Sequence, residues 1–234
     1  NGYIAQINRN WANGADLPII KELTRNELAK ELQEQQKFYQ NRYGYSLLGE
    51  IFVTNRFGIN VAQTNRTTDY YQANEEWWQV AKKDGLFVSD VQYDESSGTF
   101  STEIAVRIDD ANGNFAGVIK VVPNIKETID ILNTAKLATG YKTIQLHLID
   151  HSGKIIYSTK NDYKFGQNVG SPFSDCFANT GYPKQKLHMN SKNGQIFTIE
   201  PAKKSRNFSG LGWALATETD TAEIFAPMID LRNT

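Results

Sequence analysis

Phe100-Ser101-Thr102-Glu103-Ile104-Ala105-Val106-Arg107-Ile108 alternates residue by residue. Phe100, Thr102, Ile104, Val106 and Ile108 fall on one face and Ser101, Glu103, Ala105 and Arg107 on the other, the period of a strand. Asp110-Ala111-Asn112-Gly113 has the composition of a hairpin turn, and Phe115 to Val122 is the returning strand, ended by Pro123. So short a connection permits only antiparallel pairing. The sheet around this hairpin is therefore antiparallel.

On the N-terminal side, the first forty residues read as helix. Asp16-Leu17-Pro18 is a start signal, and Thr24-Arg25-Asn26-Glu27 has capping-box spacing. Leu28, Leu32, Phe38 and Tyr39 carry an apolar stripe toward Tyr43, so a long amphipathic helix is expected over 17–43. Strands follow at Leu47 to Thr54 and Ile59 to Gln63, joined by the turn Asn55-Arg56-Phe57-Gly58. Thr64 to Ala73 is a polar loop, Glu75 to Lys83 a short helix closed by Asp84-Gly85, and Phe87 to Val91 a further strand. Beyond the hairpin, Ile125 to Leu137 reads as helix and Thr221 to Leu231 as another.

Ile51 to Gly58 lines up with Leu146 to Gly153 at a separation of 95 positions, and the same separation relates Thr64 to Thr159 and Gly117 to Gly212. One offset at three distant points implies an internal repeat. The reading is α+β: an N-terminal helical region 1–43, a module 44–123, a connecting helix 124–140, a similar module 141–218 and a C-terminal helix 219–234.

The chain has 234 residues, 40% of them hydrophobic and 22% charged, with a net charge of -1. These values exclude global disorder and a basic nucleic-acid footprint. No run of about 18 apolar residues occurs, so no segment reads as a membrane span. The start, Asn1-Gly2-Tyr3 without Met, reads as that of an excised fragment. The single cysteine, Cys176, makes neither a disulfide framework nor a zinc cluster and reads as a small, partly buried residue. Sequons at Asn65 and Asn207 hint at an external location. His147 and His151 stand on a strand running into a turn and do not make a zinc pair; His188 is the remaining histidine. No phosphate loop or nucleophile elbow occurs, and no cofactor or metal is implied.

Gly58 to Thr64, Asp69-Tyr70-Tyr71-Gln72, Glu76-Trp77-Trp78-Gln79-Val80-Ala81, Val88-Ser89-Asp90-Val91 and Ile108 to Gly113 with Gly117-Val118 together resemble the distal module of double Cache sensor domains. Gly212-Trp213 and Thr217 to Pro227 resemble the end of the proximal module. The resemblance covers nearly all of the chain. It implies two tandem PAS-like modules joined along a long N-terminal helix, lying outside the cell between two membrane spans. It also implies an extracytoplasmic small-molecule sensor of a membrane-anchored receptor. A histidine kinase is the favoured parent, with a chemoreceptor as the alternative. Pairing of two copies through the N-terminal helix, and no catalysis by the fragment itself, are further implications.

The family's pocket lies in the distal module, and the resemblance carries it to Tyr70, Trp77, Trp78, Asp90, Asp94, Arg107 and Lys120. Adjacent tryptophans on a helix point about 100° apart, so Trp77 is expected to line the pocket and Trp78 to pack in the core. Lys120 interrupts an apolar strand and needs water, a carboxylate or an anionic ligand. Arg107 and Glu103 share a strand face and are expected either to pair in solvent or to line the pocket. Where the family holds an amino acid, this sequence departs: Glu75 replaces an arginine, Gln92 a tyrosine and Val122 an aspartate, whereas Asp94 is kept. Those losses argue against an amino acid ligand. Two other classes compete. Glu75 and Glu76 beside Trp77 and Trp78 suggest a carbohydrate-active enzyme, but adjacent glutamates on a helix point apart. A ligand-free dimerisation or spacer module would share most features, and Tyr70, Trp77, Asp90 and Lys120 favour the sensor.

Overall fold

The computed structural model describes residues 2–94, 99–170, 173–174, 177, 186–190, 194–203 and 210–232. Cys176 and the Asn207 sequon lie outside the described residues, and so does the side chain of His188. The chain forms two compact units, Asn1–Lys126 and Glu127–Thr234.

The first unit opens with three helices, α1 (Gly2–Ala12), α2 (Pro18–Arg25) and α3 (Glu27–Tyr43), where one long helix was expected over 17–43. The break is at Asn26, whose backbone is extended (φ -65°, ψ 170°). Its Oδ1 accepts the Ala29 N–H at 2.8 Å, and its Nδ2 donates to the Val61 carbonyl at 2.8 Å. One asparagine thus caps α3 and ties it to the sheet, which an uninterrupted helix would forgo.

Strands β1 (Leu48–Asn55), β2 (Asn60–Gln63), β3 (Leu86–Val88), β4 (Gln92–Asp94), β5 (Thr99–Ser101), β6 (Ile104–Asp109) and β7 (Phe115–Pro123) follow, with α4 (Glu76–Asp84) between β2 and β3. The sheet has the order β2-β1-β7-β6-β3 and is antiparallel throughout; β4 and β5 form a separate hairpin. The hairpin of β6 and β7 forms from Ile104↔Val121 to Ile108↔Gly117. The alternating run at 100–108 is divided, however, because Thr102 N–H turns to the Pro123 carbonyl and Glu103 N–H to Ser89 Oγ. Period-2 patterning continues through the break and conceals it. One face of the sheet packs Ile51, Val53 and Ala62 against Ala29 and Leu32 of α3; the other packs Phe52, Ala105 and Val118 against Trp77, Trp78 and Ala81 of α4.

The second unit contains most of α5 (Lys126–Ala138), then β8 (Gln145–Ile149), β9 (Ile155–Ser158), β10 (Lys186–Asn190), β11 (Gln195–Pro201), β12 (Ala214–Asp220) and α6 (Thr221–Arg232). Its antiparallel sheet runs β10-β11-β12-β8-β9, over a core of Ile149, Ile155, Val169, Phe173, Phe197 and Ile199. The 95-residue repeat recurs in hydrogen bonds. Ile51 N–H donates to Thr64 Oγ1 at 3.1 Å and Leu146 N–H to Thr159 Oγ1 at 2.9 Å. Asn55 Oδ1 accepts the amides of Phe57 and Ile59; Asp150 Oδ1 accepts those of Ser152 and Lys154. Among the described residues, no helix is long and apolar enough to cross a membrane.

A candidate ligand cleft in the first unit

A cleft of about 190 Å³ opens on the α4 side of the first sheet. Glu50 and Phe52 of β1, Glu103, and Lys120 of β7 form its floor; Glu75 and Trp77 at the start of α4 form one wall; Thr67, Thr68, Asp69 and Gln72 of the loop before α4 form the other. Lys120 lies opposite Phe52 on one side and Ala105 on the other, at the centre of the sheet. Its side chain is only 10% exposed, and Nζ lies 2.6 Å from Glu103 Oε1, 4.7 Å from the centre of the Trp77 ring and 5.8 Å from that of Phe52. Burial thus finds the ammonium a carboxylate and two aromatic rings. The expected pairing of Glu103 with Arg107 does not form. Residues four apart on a strand are too distant to pair, whereas Lys120 is a diagonal neighbour of Glu103 across the β6–β7 ladder.

The two tryptophans part as helix geometry requires. Trp77 meets Phe52 edge-on at 5.6 Å in the cleft. Trp78 turns into the core, where its Nε1 donates to Thr54 Oγ1 at 2.9 Å and its ring packs on Phe115. Tyr70, Asp90 and Arg107 are not brought to the cleft. Tyr70 is buried against Trp11 and Leu23, and that burial raises the pKa of its phenol. Arg107 pairs with Asp109 at 2.7 Å, donates to the Lys82 carbonyl and covers the Phe115 ring. Asp90 accepts its neighbour Val91's amide at 2.8 Å. Asp94 belongs to β4, and its side chain lies outside the described residues. Conversely, Glu50, Phe52, Thr67, Asp69 and Gln72 line the cleft without having been singled out; the polar loop beside α4 was the available signal.

That loop is sewn to α1. Trp11 Nε1 donates to the Thr67 carbonyl at 2.7 Å, and Arg66 reaches back to the Trp11 carbonyl. Asn8 Oδ1 accepts the amides of both Tyr70 and Tyr71 at 2.9 Å. Asn8→Ala removes the acceptor of two adjacent amides, at about 1 kcal/mol each. Amide hydrogen exchange at Tyr70 and Tyr71 should quicken by about tenfold or more, with β1 and β7 unchanged. Unaltered exchange there would show that α1 does not hold the loop.

The second unit places a polar cluster in its interior. His147 is fully buried, with Nδ1 3.0 Å from Ser158 Oγ and Nε2 3.9 Å from Glu218 Oε2. Glu218 Oε1 pairs with Lys160 Nζ at 2.6 Å, and that bond raises the lysine's pKa. Burial, reinforced by Lys160 and Lys136 and opposed by Glu218, lowers the His147 pKa to about 4. The imidazole is therefore neutral at pH 7.

No protein-family model and no curated protein matches the sequence. Solved structures do match in fold. An extracellular ligand binding receptor from Desulfohalobium retbaense aligns with 92% of this chain at 12% identity and a TM-score of 0.58; this chain spans 36% of that one. The extracellular domain of a histidine kinase aligns over 96% of both chains at 10% identity and a TM-score of 0.53. The ligand binding domain of the Pseudomonas aeruginosa amino acid chemoreceptor PctC, solved with GABA, aligns over 93% of this chain and 98% of its own length at 14% identity and a TM-score of 0.58. Further ligand-binding domains of this fold are solved with L-valine, L-arginine and asparagine. These complexes overturn the argument against an amino acid ligand: it rested on anchors at three sequence positions, and domains alike in fold at so little sequence identity take amino acids of widely different side chains. The chain shares the fold of these extracellular and ligand-binding domains.

Proposed function

We propose that this chain is the extracytoplasmic sensing region of a membrane signalling receptor and that it binds a small molecule in the cleft of its first unit. The observation that carries this reading is the cleft itself. Two aromatic rings, Trp77 and Phe52, converge with a buried lysine and several carboxylates on an open space of about 190 Å³, and convergent polar groups beside aromatic surface are what fixes the orientation of a small ligand. The fold supports the reading, since its solved relatives include ligand-binding domains. Amino acids head the classes to test. A histidine kinase remains the favoured parent and a chemoreceptor the alternative; catalysis belongs to neither unit.

In this reading the ligand draws the loop 64–73 and the start of α4 toward the sheet. Because Asn8 and Trp11 grip that loop, α1 moves with it, and the population shifts between two arrangements by no more than the ligand's differential affinity for them. A thermal-shift screen against amino acids, amines, carboxylates, sugars and nucleobases tests it. A ligand at 100 times its Kd adds about 2.7 kcal/mol to the native state. The expected result is a hit that Trp77→Ala abolishes while the far-ultraviolet circular dichroism is kept. A hit untouched by Trp77→Ala would move the site elsewhere, and a blank screen would favour a ligand-free spacer.

A further inference from the structure

We infer that the ligand site extends into a second cleft on the same face of the sheet, and that this extension is a side-chain subsite for an amino acid whose long side chain ends in a carbonyl oxygen. The inference rests on the reading of the first cleft as the sensory site. The second cleft has a volume of about 280 Å³, and Tyr45, Gly49, Ser101, Val122 and Asn124 are among its lining residues. It adjoins the first on three segments of chain. Gly49 precedes Glu50 on β1, Val122 lies two residues beyond Lys120 on β7, and Ser101 lies two residues before Glu103. Side chains two apart on a strand share a face, so Val122 continues the floor that Lys120 begins. Val122 stands opposite Glu50 as Lys120 stands opposite Phe52, and two strand positions advance about 7 Å. The first cleft alone, at about 190 Å³, is smaller than the roughly 300 Å³ at which ligand pockets usually begin. With the second cleft the site reaches that size.

The two clefts differ in chemistry. The first carries both signs of charge, Lys120 beside the carboxylates of Asp69 and Glu75, which suits the ammonium and carboxylate of an amino acid. The second presents neutral hydrogen-bonding groups beside the Tyr45 ring and Val122. Ser101 and Asn124 face each other there in an isolated bridge between antiparallel segments. Ser101 is 7% exposed, yet its hydroxyl forms no hydrogen bond among the described residues. Asn124 Oδ1 accepts the Lys126 N–H at 2.8 Å. That bond fixes the orientation of the amide and leaves Nδ2, a donor, for the cleft. A carbonyl oxygen accepts from the hydroxyl and from Nδ2 together, and the largely buried hydroxyl thereby gains the partner it lacks. A guanidinium, which only donates, meets the Asn124 amide donor against donor.

L-citrulline, L-arginine and L-norvaline make the matched probes. Citrulline, extended, places a carbonyl oxygen about 7 Å from its Cα; arginine has the same length with a guanidinium end, and norvaline is the same carbon stem without an end group. Calorimetric titration of the whole chain is expected to give a citrulline affinity at least about tenfold above that of norvaline and about fivefold above that of arginine. Ser101→Ala should lower the citrulline affinity about fivefold, leave norvaline unchanged, and leave the melting temperature of the ligand-free protein unchanged, since no hydrogen bond within the protein is lost. Val122→Phe, which fills the second cleft from its floor, should erase the gap between citrulline and norvaline. Norvaline or arginine binding as tightly as citrulline overturns the inference and leaves the sensor reading standing, as does a citrulline affinity that neither substitution alters. If none of the three binds but the screen yields a Trp77-dependent hit, a carbonyl-ended amino acid weakened by Ser101→Ala upholds the inference, and any other hit overturns it. A screen in which nothing binds removes the sensor reading and the inference together.

Discussion

Between pH 6.5 and pH 4 the second unit is expected to lose about 3 kcal/mol of stability through His147 alone. The folded imidazole takes up a proton only near pH 4, the unfolded one near 6.5. Above 6.5 both states are neutral and the residue has no effect on the pH dependence. As pH falls between the two values only the unfolded chain binds the proton, so stability drains away; below 4 both states bind it and the loss is complete. The cause is burial: His147 is sealed among Tyr163, Phe173 and Ser158, with Lys160 and Lys136 adding repulsion and the Glu218 carboxylate supplying incomplete compensation. Phe52 holds the corresponding place in the first unit, 95 positions earlier, so His147→Phe is the apt substitution. Urea unfolding followed through Trp213 should find this variant close to the parent above pH 7 and about 2 kcal/mol more stable at pH 5. Parallel pH profiles for the two proteins would show that His147 does not set the acid limit.

Gly117→Ala should destabilise the first unit by about 3 kcal/mol or more, the upper end of overpacking costs. A Cβ there would sit 1.9 Å from the Thr54 carbonyl oxygen and 3.0 Å from its carbon. Both belong to backbone in the centre of the sheet, which yields only by separating β1 from β7. Thr54 also carries the Trp78 hydrogen bond and exchanges bonds with Val118, so displacing it loosens the core beneath α4. Gly49→Ala, whose Cβ would meet the Val122 carbonyl at 3.4 Å in ordinary contact, is the control and should cost no more than about 1 kcal/mol. Trp77 and Trp78 fluorescence in a denaturant titration reads both. Equal midpoints for the two variants would mean that the sheet accommodates the added methyl.

The β6–β7 hairpin, α4 and the paired turns at Asn55 and Asp150 were legible in the sequence because each depends on neighbours along the chain: alternation, an apolar helical face, and an Asn or Asp reaching its own loop amides. What escaped depends on distant partners. Asn26 breaks the N-terminal helix because Val61, 35 residues away, accepts its amide. The resemblance carries Tyr70 to the cleft, yet Trp11 draws its ring inward. Glu103 finds Lys120 rather than Arg107 through a cross-strand register that shifts between Ile108 and Asp109, and no count along one strand reveals it. The lining of the cleft was illegible for the same reason: it comes from four separate parts of the chain that meet only when the sheet assembles.

The position of β1 between β2 and β7 has a kinetic price. Its partner on one side, β2, follows within a turn, but the other, β7, is distant: the Thr54–Val118 bond spans 64 residues. During synthesis from the N-terminus β1 and β2 can pair early, leaving the inner edge of β1, with Ile51, Phe52 and Val53, open until β7 emerges. Closing so large a loop is slow, and an apolar edge left waiting invites pairing with another chain. The second unit repeats the arrangement, with β8 awaiting β12. Yield on expression should therefore respond more to whatever shields these two unfinished edges than to the final stability of either unit.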